Sequence, residues 1–379
     1  MALGGDNYLA LARKYRPQVF EDVVGQEHVL KALAHSIDTG RTHHAYLLTG
    51  TRGIGKTTIA RIFAKALECE KGESSHPCNE CDACVNITNG SFPDVIEIDA
   101  ASQTKVEDTR QLLENTQYPP INARYKIYII DEVHMLTTNS FNALLKTLEE
   151  PPAYVKFILA TTDPHKIPTT VLSRCLQFQL RALNLDEIAH QLQTICAKEQ
   201  VKYEPEAIMS LARAARGSMR DALSLCDQAI ALGHGELSAA SVQGMLGTVG
   251  DALITDILEL LADGPEAAAT DAAGHSTFAA LLEKIRQKAP NYKSLLDELV
   301  IAFHDLALFQ LIGSTKLEVF SFSSAMLSAY AGRMAPQQVQ LYYQIILEGV
   351  QEYQYAADGR SAFEMTLLRL LAFTPEKKK

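Results

Sequence analysis

The sequence predicts an α/β domain built on a parallel sheet with helices on both faces, followed by two domains made of helices alone. Three observations predict it. Short apolar runs, partly β-branched or aromatic, occur at 45–49, 95–98, 127–130 and 157–162 and alternate with helix-periodic segments. A glycine-rich turn follows the first run directly. Strand signals cease near Leu185, beyond which apolar residues recur at helical spacing, with acids in the first turn.

At 379 residues the chain is too long for one ordinary core, so two or three domains are expected. Hydrophobic residues make up 47% and charged residues 21%, an ordinary globular balance far from the signature of disorder. The formal charge of −10 opposes a protein that coats nucleic acid through bulk electrostatics, so any such contact is local. The first residues have no charged start followed by an apolar stretch of signal-peptide length, and no later apolar run is long enough to cross a membrane. The expected location is therefore the cytoplasm, where crowded cysteines favour a metal site over disulfides.

The run 45–49 leads into Gly50-Thr51-Arg52-Gly53-Ile54-Gly55-Lys56-Thr57-Thr58, the full G-x-x-x-x-G-K-[ST] pattern between a strand and a helix. Glycines at these places let successive N–H groups turn inward on phosphate oxygens at a helix N-terminus. Lys56 is expected to bridge the β- and γ-phosphates of ATP, and Thr57 to offer a hydroxyl to Mg²⁺. Thr58 closes this cofactor-binding stretch, on the helix surface or in the core.

After that helix comes Cys69-x₈-Cys78-x₂-Cys81-x₂-Cys84, with two tight C-x₂-C steps. Four thiolates satisfy tetrahedral Zn²⁺ and leave no position for water, so the expected site is structural. Cys175, Cys196 and Cys226 stand apart and are expected to be buried small apolar residues.

Lys105 and Arg110 follow the run 95–98 on an expected helix, where they serve as DNA-phosphate contacts or as a solvated helix face. The run 127–130 ends in Asp131-Glu132-Val133-His134. Metal positioning and water activation are separate tasks that need separate carboxylates: Asp131 suits the Mg²⁺ shell and Glu132 the attacking water. The next run ends in Ala160-Thr161-Thr162-Asp163, where Thr162 senses the γ-phosphate, holds the water or caps a strand.

The helical remainder is broken by glycines near 217, 233–235 and 244–250. Expected domains are 1–184, with the cysteine module at about 69–84, then 185–248, then 249–379. Amphipathic stretches around Leu295–Leu306 and Ile345–Tyr353 are core, or surfaces for assembly between subunits.

These motifs, together with Leu172-Ser173-Arg174-Cys175 and Gly217-Ser218-Met219-Arg220-Asp221, resemble those of clamp loader ATPases in the AAA+ superfamily over roughly residues 8–248. The cysteine insert narrows the resemblance to the gamma/tau branch of bacterial DNA polymerase III. The resemblance implies an ATP-driven subunit that opens a sliding clamp and places it on primed template DNA. Delta and delta-prime subunits would be its partners, and helical collars would hold copies together. It further implies that Arg13, Tyr15, Arg16 and Val24 hold the adenine. Arg174 would act in trans on a neighbour's nucleotide, and Arg220 would reach the γ-phosphate from the helical lid. Taken alone, Arg174 reads as a surface ion pair and Arg220 as an N-terminal-turn ion pair. Family members usually continue past this point, so Thr374 to Lys379 is expected to mark a truncation before a polymerase-binding tail. The alternatives are a branch-migration motor, which shares the ATPase motifs but is not expected to carry the cysteine insert, and a non-hydrolysing structural paralogue.

Overall fold

The structure is a computed structural model and describes residues 9–102, 115–246, 250–264, 276–288, 291–313, 322 and 324–373. Two compact units compose the chain, Met1–Leu237 and Ser238–Lys379.

In the first unit, strands β1 (Ala45–Thr49), β2 (Val95–Asp99), β3 (Lys126–Asp131), β4 (Val155–Thr161) and β5 (Leu176–Gln179) form one parallel sheet in the order β2-β3-β4-β1-β5. Every residue of β1 and β4 is buried, as parallel strands covered on both faces must be. Alternation along the strands divides their side chains between two cores. Tyr46, Leu48, Ile127, Ile129 and Ile158 pack with α2 (Glu27–Asp38) and α3 (Lys56–Glu68) on one face. Leu47, Tyr128, Ile130, Phe157 and Leu159 pack on the other with Phe141, Leu144 and Leu148 of α5 (Thr138–Glu149). A short α1 (Leu11–Lys14) precedes α2, and α4 (Asp82–Asn89) follows α3.

The helical part of this unit contains α7 (Leu185–Lys198), α8 (Pro205–Ala214) and α9 (Met219–Leu232), while a four-residue α6 (Thr169–Leu172) precedes β5. A capping box starts α7: Asn184 accepts from the Glu187 N–H, and the Glu187 carboxylate accepts from the Asn184 N–H. Ser218 caps α9 by accepting from the Asp221 N–H.

Two features depart from the sequence expectation. A fifth strand, β5, was not expected, because Leu-Gln-Phe-Gln at a sheet edge is neither wholly apolar nor long enough to stand out. Nor are strands absent after Leu185: β6 (Lys202–Tyr203) pairs in parallel with β7 (Glu236–Leu237). Two-residue strands carry no periodicity to read.

The second unit is helical: α10 (Ala239–Leu246), α11 (Gly250–Asp263), α12 (Thr277–Lys288), α13 (Tyr292–Ile312), α14 (Ser324–Ala331), α15 (Pro336–Glu352) and α16 (Gly359–Ala372). Its core joins Leu253, Ile257, Leu299, Phe303, Tyr342 and Phe363, with the Phe303 and Tyr342 rings edge to face at 5.5 Å. Among the described residues, no helix is long and apolar enough to cross a membrane.

Candidate active site and metal centre

The loop between β1 and α3 takes a path that L-residues resist, with φ of 141° at Gly50, 78° at Gly53 and 104° at Gly55. At Gly53 the close neighbour is the helical lid: a Cβ there would lie 2.0 Å from Ser218 Oγ, and the Arg220 N–H donates to the Gly53 carbonyl at 3.3 Å. The phosphate loop and the start of α9 thus touch through backbone.

Lys56 is buried, and its ammonium donates to the Gly50 and Thr51 carbonyls at 2.8 and 2.9 Å. Burial holds its pKa below the usual lysine range, while the charges of Glu132 and Asp131 pull the other way. Thr57, in the first turn of α3, donates its hydroxyl to Asp131 Oδ2 at 2.6 Å. A hydroxyl and a carboxylate so placed form the oxygen pair that a hard cation takes.

Glu132 follows the end of β3 with φ 48°, a left-handed backbone that costs a non-glycine residue on the order of 1–3 kcal/mol. Its Oε2 accepts from the Thr162 N–H at 3.0 Å and the Thr162 hydroxyl at 2.8 Å, and lies 3.3 Å from His134 Nδ1. That nitrogen also sits 2.9 Å from Thr161 Oγ1. Because β4 separates β3 from β1 in the sheet, the residue after β4 lies beside the acids, and the two carboxylates face different partners.

Arg16 donates from Nε to Thr58 Oγ1 at 3.1 Å, bringing the N-terminal segment onto the phosphate-loop helix. Burial lowers its pKa, with Arg61 adding to that effect. Tyr15 points elsewhere, donating its hydroxyl to Glu199 after α7, and burial, with Glu199 adding to it, pushes its pKa up to about 12. Arg13 is exposed on α1 and Val24 is half-buried.

Two arginines named from the sequence do not converge on this loop through their side chains. Arg174 donates to Glu149 Oε1 at 2.9 Å and to the Thr170 carbonyl at 2.7 Å, which is the surface ion pair expected of it taken alone. Arg220 is exposed and its guanidinium has no hydrogen-bond or ion-pair partner among the described residues; only its backbone meets Gly53. Lys105 and Arg110 lie outside the described residues.

The sulfurs of Cys69, Cys78, Cys81 and Cys84 all lie within 4.8 Å of one another, with Cys69 and Cys84 buried. The backbone N–H groups of Cys78, Cys81 and Cys84 point at the sulfurs of Cys69, Cys78 and Cys81, at 3.5, 3.4 and 3.4 Å. Four soft donors in this packing fit tetrahedral zinc, and the N–H groups supply the outer hydrogen bonds that thiolates need. Cys196 and Cys226 are buried, and Cys175 is half-buried.

Three family models match the chain: "DNA polymerase III, delta subunit" over residues 25–184, "DNA polymerase III clamp loader subunit, ATPase lid domain" over 187–235, and "DNA polymerase III subunits gamma and tau domain III" over 237–379. The DNA polymerase III subunit gamma of Buchnera aphidicola (Baizongia pistaciae) is 43% identical over 96% of this chain and 97% of its own length. The chain belongs to the DNA polymerase III gamma/tau subunit family. The Escherichia coli K12 tau subunit is 51% identical over 97% of this chain; the chain spans 56% of that longer relative. Among solved structures, the Thermotoga maritima RuvB branch migration motor is 20% identical, with a TM-score of 0.47 over 65% of this chain and 78% of its own; that likeness carries no argument about function. In this gamma/tau family member a parallel sheet, an ATPase lid and a helical third domain follow one another along the chain, the order that the sequence motifs implied.

Sequence reasoning missed several residues around the sites. Glu149 against Arg174, and Gln18 and Lys65 beside the cysteine module, belong to no motif, and Ser218 stands in one that gave no sign of its contact with Gly53.

Proposed function

We propose that this chain is the ATP-hydrolysing gamma/tau subunit of a bacterial clamp loader, using ATP to open a sliding clamp and place it on primed template DNA. The observation that carries the reading is the separation of two carboxylates at neighbouring strand ends: Asp131 with Thr57, and Glu132 with Thr162. A chain that only bound nucleotide would need the first pair alone.

In this reading the loop 50–55 wraps the phosphates, and Lys56 exchanges its carbonyl partners for phosphate oxygens. Thr57 and Asp131 hold Mg²⁺, which neutralises charge on the phosphates when bound. Glu132 takes the proton of the attacking water, with Thr162 fixing its orientation. Arg16 and Thr58 border the nucleotide, with Arg13, Tyr15 and Val24 as the outer adenine segment. Arg220 reports the γ-phosphate to the lid. Arg174 leaves Glu149 to complete a neighbour's site, where such a guanidinium contributes on the order of 10³–10⁵ in rate. The cysteine module holds Zn²⁺ as a closed structural site. The working domains are 1–184, 185–248 and 249–379, the last a collar that joins copies of this chain to delta and delta-prime subunits in the cytoplasm. Lys105 and Arg110 grip DNA phosphates without reading sequence.

The test is ATP hydrolysis by this chain assembled with delta and delta-prime, with and without primed template and clamp. Stimulation that requires primed template and grows with clamp supports the loader. Equal stimulation by any duplex, indifferent to clamp and partners, would instead identify a translocating motor.

A further inference from the structure

Lys65 lies on α3, on the side of the helix that meets the cysteine module, and is 1% exposed. Its ammonium donates to the Gln18 carbonyl at 2.7 Å, to Gln18 Oε1 at 2.9 Å and to Asn79 Oδ1 at 2.7 Å. All three acceptors are neutral. Among the described residues no carboxylate lies within ion-pair distance of it, although a buried ammonium lacking an opposite charge is strongly destabilising. Its third acceptor, Asn79, lies in the turn between Cys78 and Cys81, whose sulfurs sit within 4.8 Å of those of Cys69 and Cys84, so the ammonium is held against the cysteine module. Four thiolates around one Zn²⁺ carry a net charge of about −2, which a compact ammonium at this place offsets.

The same side chains reach the nucleotide segment. Asn79 holds φ 58° between Cys78 and Cys81, and Thr88 on α4 donates to Gln18 Oε1 at 3.2 Å. Gln18 Nε2 donates to the Arg16 carbonyl at 3.1 Å, and Arg16 in turn donates to Thr58. A small cleft lined by Arg16, Gln18, Thr58, Arg61, Lys65 and Thr88 marks where these parts meet.

We infer that Lys65 is the buried counter-cation of the metal-loaded cysteine cluster and that, through Gln18, it makes metal occupancy a determinant of nucleotide affinity. The second half rests on the nucleotide reading above; the first does not. Lys65 is a positioning residue, since it acts on the phosphate loop only through Gln18 and Arg16.

The experiment uses the full chain as wild type, Lys65→Met, Lys65→Arg and Gln18→Leu. Zinc affinity is measured by competition with a chromophoric chelator, the Co²⁺ thiolate charge-transfer band reports the donor set, and a fluorescent ATP analogue is titrated into zinc-loaded and zinc-stripped protein. Lys65→Met is expected to weaken zinc by about 10–100-fold with an unchanged cobalt spectrum, the size of a lost outer contact to a metal ligand set. Lys65→Arg, which keeps the charge, recovers most of that loss. Stripping zinc weakens analogue binding to wild type but leaves Gln18→Leu at one affinity in both metal states. Wild-type zinc affinity in Lys65→Met overturns the counter-cation. If Lys65→Met does not fold, Lys65→Arg decides: a chain that folds yet has lost zinc overturns it equally. Equal analogue affinity of loaded and stripped wild type overturns the coupling. Absence of analogue binding in both metal states removes the nucleotide reading and the coupling with it, while the zinc titration still judges Lys65.

Discussion

Thr162 holds Glu132 twice on one oxygen, through its backbone N–H at 3.0 Å and its hydroxyl at 2.8 Å. The carboxylate proposed to activate water is thus aimed from the neighbouring strand, and in that reading removing its charge separates binding from chemistry. Glu132→Gln is expected to bind ATP as wild type does while hydrolysis by the assembled loader falls by about 10²–10⁴-fold. Thr162→Ala removes only the hydroxyl contact and costs roughly 10–100-fold, the worth of a hydrogen bond to a charged group. Single-turnover hydrolysis beside equilibrium ATP binding checks both.

Gly53 meets Ser218 so closely that no side chain fits, and its φ of 78° disfavours one in any case. Gly53→Ala is expected to cost about 1–3 kcal/mol of stability and to weaken nucleotide binding. Adding Ser218→Gly relieves the clash but not the backbone strain, so the double variant recovers only part of the loss. Urea unfolding and ATP titration of both variants measure this.

Arg174 is held by Glu149 within its own chain, yet its proposed task lies on a neighbour. A half-exposed pair of this kind is worth about 0–1 kcal/mol, a weak restraint. Arg174→Ala should leave ATP affinity of the isolated chain unchanged and lower hydrolysis by the assembly by about 10³–10⁵-fold. Glu149→Ala should leave assembly hydrolysis at or above wild type. A loss of ATP binding by isolated Arg174→Ala would place the arginine in its own site instead.

The Tyr128 hydroxyl is buried in the interior strand β3 without a hydrogen-bond partner among the described residues. Leaving such a group unpaired costs about 1–3 kcal/mol, so Tyr128→Phe is expected to be neutral or stabilising in thermal melts. A loss of stability would mean that the hydroxyl has a water partner.

The strands and the phosphate loop were legible because their signals are local: apolar runs with turn residues at fixed offsets. The four cysteines were legible for the same reason. What escaped depends on contacts made at long range. Ser218 reaches Gly53 across the whole sheet domain, and Gln26 fixes its amide on both backbone groups of Arg181. Lys65 reads as a surface lysine in any propensity scheme, and its burial follows only from where the cysteine module folds back on α3. Strand β5 escaped because it is held by β1 and not by its own composition.

That last relationship bears on how the protein is made. Strand β1, which carries the phosphate loop, pairs with β4 and β5, with Ala45 opposite Phe157 and Thr49 opposite Gln179. On the ribosome β1 therefore waits for its first neighbour until the chain has been extended past Thr161 and for its second until it has passed Gln179, whereas β2 and β3 can pair sooner. Contacts so distant in sequence form slowly, because loop closure precedes their reward. The phosphate-loop site is thus a late product of translation, and a nascent chain halted before β4 has the whole motif but no paired strand to display it.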